Sequence, residues 1–387
     1  MKLAPLVSAL GIAQIISWGS LFYAIGVLGA PMRAELGVSE LFLFSVFTGA
    51  LLVSGTFATL AGRLIDQRGG RFVLSLGSVL SIVAMLLLAT APNAAVMVAG
   101  WLVAGAAMAF CLYDPAFATL SRHAGERYRR SVTALTLFGG FASTVFWPLS
   151  LLLLEAWGWR MTFAIYAGIH AFVCFPIHRL FVPRHLALPH EAHGETAEPS
   201  PALGDPRLPW LTWSFAAATF VFGVVAVHLI SLLTSAGLTA AQAVTISMLV
   251  GPMQVAGRII ELGISGRVRA VTVGVVAFLL MLVSLVALIS VEGFGIAAIV
   301  FVTAYGWGNG VLTIVKGTAP AELFGRQGFG ALLGHISRAG LYAKAVAPAS
   351  FSGLLALGLT RNAALAAMVT VSIAGLGSFL MALRKRP

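Results

Sequence analysis

Five ionisable side chains stand inside long apolar runs of this sequence: Asp114, His228, Arg258, Arg338 and Lys344. An ionisable group held in an apolar setting persists where it meets an opposite charge or a wet cavity, and it marks a candidate for binding or proton transfer. Asp114 lies in Tyr113-Asp114-Pro115, eight residues before Arg122, which places it ~12 Å from that residue along a helix. Pro115 has no N–H and frees a carbonyl one turn back. A carboxylate beside such a loosened turn can bind a proton or a cation, or it can form a structural ion pair with another helix.

Arg258 is nine residues before Arg267, ~13 Å by the same rise. Its guanidinium fork can grip a carboxylate with two parallel bonds, form a bridge to Asp114 at similar depth, or reach for the membrane edge. Lys344 is eighteen residues after Arg326 and seventeen before Arg361, too deep to snorkel easily. It also precedes Pro348 by one turn. Arg338 is shallower and can serve substrate or simply pair at the inner end. His228 can shuttle protons or sit satisfied between helices. Lys316 follows Glu292 by twenty-four residues, ~36 Å of helix, which puts it at an interface. Neutral polar handles are Gln14, Trp18 and Tyr23 in the first run, Gln254 in the eighth, and Asn309 in Gly306-Trp-Gly-Asn309-Gly310. Each can line a pocket or only pack between helices. Arg258, Lys344 and Arg338 outweigh Asp114, so a shared cavity would be positive and would attract anions. A small organic anion of the carboxylate type is the expected ligand, with Asp114 as proton site or counter-charge.

The elements that must position these groups are membrane helices. Of 387 residues, 59% are hydrophobic and 10% charged, against roughly 25% charged in a soluble domain. The mean hydropathy is +0.97. A chain this long has no polar material for a water-facing shell, so most of its surface must meet lipid. A span needs ~20 apolar residues, and twelve runs qualify: 5–29, 41–62, 72–91, 94–120, 131–154, 160–182, 210–234, 240–262, 270–290, 293–316, 330–356 and 362–383. The first is too long for a secretory h-region and reads as a retained helix. Segment 183–209 is rich in proline and has no apolar period, which makes it a cytoplasmic linker between bundles 1–182 and 210–387. Its His185, His190 and His193 read as solvated. Cys111 and Cys174 lie in apolar runs and read as small core residues.

The net charge is +11, and its distribution suggests topology rather than nucleic-acid binding. With both termini cytoplasmic, sixteen Lys and Arg fall on inner loops and ends and three (Arg33, Arg160, Arg361) on outer loops, a strong positive-inside bias. The expected location is a bacterial-type inner membrane, crossed many times. The halves also echo each other. Gly140, Pro148 and Ser150 recur as Gly340, Pro348 and Ser350, while Ala61-Gly-Arg-Leu-Ile-Asp66 recurs as Ala256-Gly-Arg-Ile-Ile-Glu261. The shifts are 200 and 195 residues. Both point to a duplicated six-helix unit, whose substrate site is expected at the repeat interface.

The loop after the second run reads Gly62-Arg-Leu-Ile-Asp66-Gln-Arg68-Gly69-Gly70-Arg71. It resembles the major facilitator pattern Gly-x-x-x-Asp-(Arg/Lys)-x-Gly-(Arg/Lys)-(Arg/Lys), matching at Gly62, Asp66, Gly69 and Arg71 and departing at Gln67 and Gly70. The resemblance implies an all-α membrane fold of two pseudo-symmetric six-helix bundles. It also implies a conformational latch at this loop, with Asp66 and Arg71 carrying the charges. Physically, the glycines permit a tight turn and close helix approach, and an acid there can pair with arginines or face the N-terminus of another helix. The helix 4 arginine and helix 5 Gly-Pro run of proton-driven drug exporters are absent. Arg258 in the eighth run with Lys344 in the eleventh, and Ser17-Trp18-Gly19-Ser20-Leu21-Phe22-Tyr23 in the first, are similar to the oxalate/formate and monocarboxylate porters.

The sequence holds no P-loop, Ser-His-Asp spacing or metal-ligand cluster, so the expected protein is no enzyme, needs no cofactor or metal, and binds no nucleic acid. The leading expectation is a monomeric secondary transporter that moves a small organic anion in symport with protons by alternating access, within a lipid bilayer. The competing expectations are a proton-driven exporter of drugs or toxic compounds and a non-transporting membrane sensor of the same fold.

Overall fold

The computed structural model describes residues 3–184 and 201–384; His185, His190 and His193 lie outside the described residues. Those residues are helical throughout apart from turns and one isolated bridge, Ser265 to Val268. Nine helices among them are long and apolar enough to cross a membrane. Two of the nine are double. Glu40–Ala89 breaks at Gly69 (φ 79°, ψ 162°), and Gly125–Phe181 breaks at Gly158 (φ 76°, ψ 168°). These are conformations that essentially only glycine adopts. With Phe329–Ala356 the total is twelve. They are α1 (Leu3–Leu36), α2 (40–68), α3 (70–89), α4 (Ala94–His123), α5 (125–157), α6 (159–181), α7 (Leu208–Thr234), α8 (Ala240–Ile264), α9 (Ala270–Ile289), α10 (Ile296–Phe324), α11 (Phe329–Ala356) and α12 (Arg361–Leu383). The predicted run of twelve spans is thus found, with α1 and α4 extending beyond their apolar stretches. The fold is two pseudo-symmetric six-helix bundles.

Helix ends follow local chemistry. Ser39, Asn93, Thr239 and Thr360 each accept a backbone N–H at the start of a helix, replacing bonds that the first turn cannot make internally. Thr239 and Gln242 form a reciprocal capping box.

The chain forms two compact units, Met1–Pro201 with Arg326–Arg338, and Ala202–Gly325 with Ala339–Pro387. Helix α11 is therefore divided: its first ten residues belong to the first unit and the remainder to the second. The first unit is centred on edge-to-face aromatic contacts among Phe47, Trp101, Trp159, Phe163 and Tyr166. The second is centred on Phe215, Phe278 and Phe379.

Corresponding devices recur in the two units at a spacing close to 200 residues. Gly158 (φ 76°) precedes α6 and Gly358 (φ 87°) precedes α12. Arg160 at the start of α6 donates to Ala91 O after α3 (2.7 Å), and Arg361 at the start of α12 donates to Leu288 O of α9 (2.6 Å).

Candidate functional site

Within the first unit, α1 and α4 both depart from regular helix where the candidate residues lie. Residues Gly19–Tyr23 form a π-helical turn, a distortion frequent at functional sites. Helix α4 breaks at Leu112, whose backbone is extended (φ −79°, ψ −158°). Its second half restarts at Tyr113, so Asp114 and Pro115 occupy a first turn. Proline is tolerated there because its missing N–H has no helical partner, and an acid is favoured by the helix dipole. Gln14 is fully buried, and its Nε2 donates to Cys111 O at the break (2.8 Å). This satisfies a carbonyl left over by the interruption. Trp18 contacts Tyr113 (ring centroids 5.1 Å) and Tyr23 (6.3 Å). Three candidate residues of α1 thus gather around the break that carries Asp114. Asp114 itself is half-buried and acts electrostatically on Tyr128 of α5.

The α2–α3 loop forms a second centre in the same unit. Asp66 Oδ1 accepts from Gly330 N (3.1 Å) and Oδ2 from Ala331 N (2.8 Å). The carboxylate therefore caps the N-terminus of α11, where its charge complements the helix dipole. Arg122 donates to Asp66 O (2.7 Å) and approaches Oδ1 (3.5 Å). Arg71 takes another place: its Nε donates to Val182 O (2.6 Å) at the end of α6. Arg326 donates to Ser121 O (3.3 Å) at the end of α4, a cation set against a helix C-terminus, and to Gly125 O (2.8 Å) at the start of α5. Beneath these polar caps the backbones nearly touch. A Cβ at Gly62 would overlap the carbonyl of Gly330, and one at Gly334 would overlap that of Ala58. Small residues four apart on both helices make this crossing possible.

In the second unit, Arg258 is 4% exposed. Its Nε donates to Gly310 O (3.4 Å) and its Nη2 to Gln254 Oε1 (3.5 Å). Helices α8 and α10 approach closely here, because a Cβ at Gly306 or Gly310 would meet Met253 or Gln254. Arg258, Gln254 and the Asn309–Gly310 turn are therefore neighbours, with the Asn309 side chain half-buried. Lys344 is half-buried on α11, its Nζ 5.0 Å from the Phe222 ring of α7, a cation–π arrangement. Lys316 on α10 lies within electrostatic range of it. Pro348 cannot bond the Lys344 carbonyl, and that carbonyl faces Gly223 of α7. His228 Nε2 contacts Pro348 O (3.2 Å) and Ser352 Oγ (3.4 Å), so Lys344 and His228 share the α7–α11 seam. Arg338 is exposed.

Several participants escaped the sequence reading. Arg122 and Arg326 were counted there only as loop charges. Gly330 and Gly334 were not singled out, although their i, i+4 spacing is itself a packing signal. Glu261, noted as a repeat echo, is 1% exposed. His170 and His178 of α6 are fully buried and bonded to Ser20 and Ser78 (2.8 Å each). The rule that flagged His228 would have flagged both. Among the described residues no cluster of three or more His, Cys, Asp or Glu is placed to hold a metal.

The chain thus combines two six-helix bundles, interrupted helices and a glycine-lined loop that carries Asp66. Residues 10–334 match the sequence profile of the Major Facilitator Superfamily, and the chain belongs to that family. It is a multi-pass membrane transporter. No curated protein sequence matches it. Similar solved structures include the human organic anion transporter MFSD10 (TETRAN), at 15% identity over 99% of this chain and 100% of that one, TM-score 0.74. The E. coli fucose:proton symporter FucP, in a variant form, is similar at 13% identity over 97% and 98%, TM-score 0.74. FucP in an outward conformation is similar at 11% identity over 97% and 98%, TM-score 0.74. Identities this low establish the shared fold.

Proposed function

We propose that the protein moves a small organic anion of the carboxylate type, coupled to protons, by alternating access. The observation that carries this reading is the charge inside the second unit. Arg258, Lys316 and Lys344 are buried or half-buried in its helices, against Glu261 as the buried acid. A low-dielectric site with excess positive charge concentrates anions and repels cations. Arg258 has the fork geometry for a carboxylate, and Lys344 offers a mobile point charge. Gln254, Asn309 and Arg338 are candidate supporting contacts. In the first unit Gln14, Trp18 and Tyr23 would line the path, and Asp114 would take up the coupled proton. His228, donating within the α7–α11 seam, is a second proton candidate. The similar folds include an organic anion transporter and a proton symporter, in keeping with this pairing.

Asp66, with Gly62, Gly69 and Arg71, is assigned as a latch that fastens the start of α11 to the α2–α3 loop and must release in each cycle. The sixteen-to-three distribution of basic residues supports cytoplasmic termini in a bacterial-type inner membrane, with bundles 1–182 and 210–387 joined by the linker. A monomer holds every group named.

The test is ligand-dependent thermal stability of the purified protein, since ligands that bind the folded state raise its melting temperature. Mono- and dicarboxylates should stabilise the wild type, and Lys344→Ala or Arg258→Ala should abolish the shift. Stabilisation by cationic drugs alone, undiminished in Lys344→Ala, would refute the anion assignment and favour a drug exporter dependent on Asp114.

A further inference from the structure

Polar residues recur along one face of three helices in the first unit. On α1 they are Gln14, Ser17 and Ser20, on α3 Ser75, Ser78 and Ser81, and on α6 His170, Cys174 and His178. Steps of three or four residues keep each set on one side of its helix. Eight of the nine have no exposed surface, and Ser75 is 9% exposed. Buried stripes of this kind are costly unless they meet one another. They do meet. Ser20 bonds His170, and Ser78 bonds His178 (2.8 Å each). Between these pairs, Ser81 lies 3.9 Å from the Cys111 thiol of α4, and Ser17 lies beside the thiols of both Cys111 and Cys174. The result is one polar seam that follows α6 from His170 to His178, roughly 10–12 Å.

Two features set this seam apart from ordinary polar packing. Gln14 Oε1, Ser17 Oγ, Ser75 Oγ, His170 Nδ1 and His178 Nε2 are buried and have no hydrogen-bond partner among the described residues. Each is costly to leave bare, and internal water is the usual remedy. In addition, the π-helical segments among the described residues all border the seam. Gly19–Tyr23 on α1 holds Ser20, while His170–Cys174 and Ile177–Phe181 hold the three polar residues of α6. Such segments break the regular backbone bonding and recur at functional sites. The two ends also differ. Ser75 lies four residues from Arg71, which bonds Val182 O where α6 ends. At the other end Ser20 shares its π-turn with Tyr23, close to Trp18. The ionisable neighbour that acts on His170 is His178, and His178 meets Ser78 and the Leu74 carbonyl. The groups facing the two imidazoles are thus hydroxyls, thiols and carbonyls.

We infer that this seam is a proton path, in which His170 and His178 pass protons between the end of α6 and the π-turn of α1 while internal water bridges the orphaned atoms. A neutral imidazole takes a proton on one ring nitrogen and releases the proton of the other, so it hands charge on without storing it. The use of the path in coupling rests on the proton-driven reading above, but the exchange that tests it needs no substrate. The full chain, carrying nitrogen-15 in its histidine rings, is reconstituted in liposomes and transferred to deuterium oxide. Loss of each ring N–H signal is followed by solid-state NMR, with single histidine replacements to assign the signals. In the wild type both His178 and His170 should exchange, His178 the faster. His178→Gln and Ser17→Val interrupt the seam at its end and its middle, and each should slow His170 by about tenfold or more. Ser150→Ala removes a buried hydroxyl of the same unit that bonds Tyr166 (2.6 Å) outside the seam, and it should leave both rates unchanged. Retention of the His170 signal in the wild type, an unchanged His170 rate in either seam variant, or equal slowing in Ser150→Ala would each overturn the inference. A damaged fold speeds exchange rather than slowing it, so misfolding does not imitate the predicted result.

Discussion

Replacing Asp66 should free the start of α11 from the α2–α3 loop, and the size of the effect follows from the bonds it makes. The carboxylate accepts two backbone N–H groups, at 3.1 and 2.8 Å, and the approach of Arg122. Loss of an N-terminal cap costs about 0.5–2 kcal/mol, and loss of a negative charge at a helix N-terminus about 0.3–1 kcal/mol. Arg122 keeps its bond to the Asp66 carbonyl, so its desolvation adds little. Asp66→Ala should therefore weaken the attachment by about 2 kcal/mol, roughly 30-fold in an opening equilibrium. Asp66→Asn keeps one acceptor and should cost about 1 kcal/mol, roughly fivefold. The assay is maleimide labelling of a cysteine placed at Ala331, which is 7% exposed and bonded to Asp66. The native Cys111 and Cys174 are both buried, which keeps the background low. Labelling through local opening reports the open population. The expected order of rates is wild type, then Asp66→Asn, then Asp66→Ala. Equal rates in all three, with unchanged melting temperatures, would refute the capping argument.

Other perturbations follow from the same geometry. Gly69→Ala forces a side chain onto a backbone at φ 79°, ψ 162° and should cost about 1–3 kcal/mol, read as a lower melting temperature in detergent. Gly62→Ala places a methyl against the Gly330 carbonyl and should cost about 1–3 kcal/mol by overpacking. Gly62→Ala in combination with Asp66→Ala should be less than additive, because both act on the same crossing. Arg326→Ala removes bonds to the end of α4 and the start of α5 and should raise the Ala331→Cys labelling rate in the same direction as Asp66→Ala. An unchanged rate would separate Arg326 from the attachment of α11.

Much of the architecture was legible because membrane spans are written in composition. Apolar runs near the required length, with glycine and proline between them, located twelve helices, and the echo of Gly140, Pro148 and Ser150 located the repeat. Gly158 and Gly358, and the parallel bonds of Arg160 and Arg361, now extend that echo to the starts of α6 and α12. The interruptions were less legible. Pro115 signalled a loosened turn, but the extended residue lies three positions earlier at Leu112. The π-helical turn in α1 has no compositional mark at all. Pairings across helices were the least legible. The motif singled out Asp66 and Arg71 together, yet the carboxylate meets Arg122 and the backbone of α11, while Arg71 bonds Val182. Which arginine reaches an acid depends on how helix ends converge, and spacing along one helix does not contain that. Lys316 shows the same limit: counting residues placed it at an interface, and the structure brings it within range of Lys344.

The anion assignment rests on Lys344, and proton-coupled flux tests it most directly. Wild type and Lys344→Ala would be reconstituted in liposomes holding a pH-sensitive dye and challenged with oxalate, succinate or a cationic drug, with empty liposomes subtracted. The account predicts dicarboxylate-driven acidification of the lumen in the wild type and none in Lys344→Ala. Dye signals driven only by the cationic compound, equal in both proteins, would contradict it.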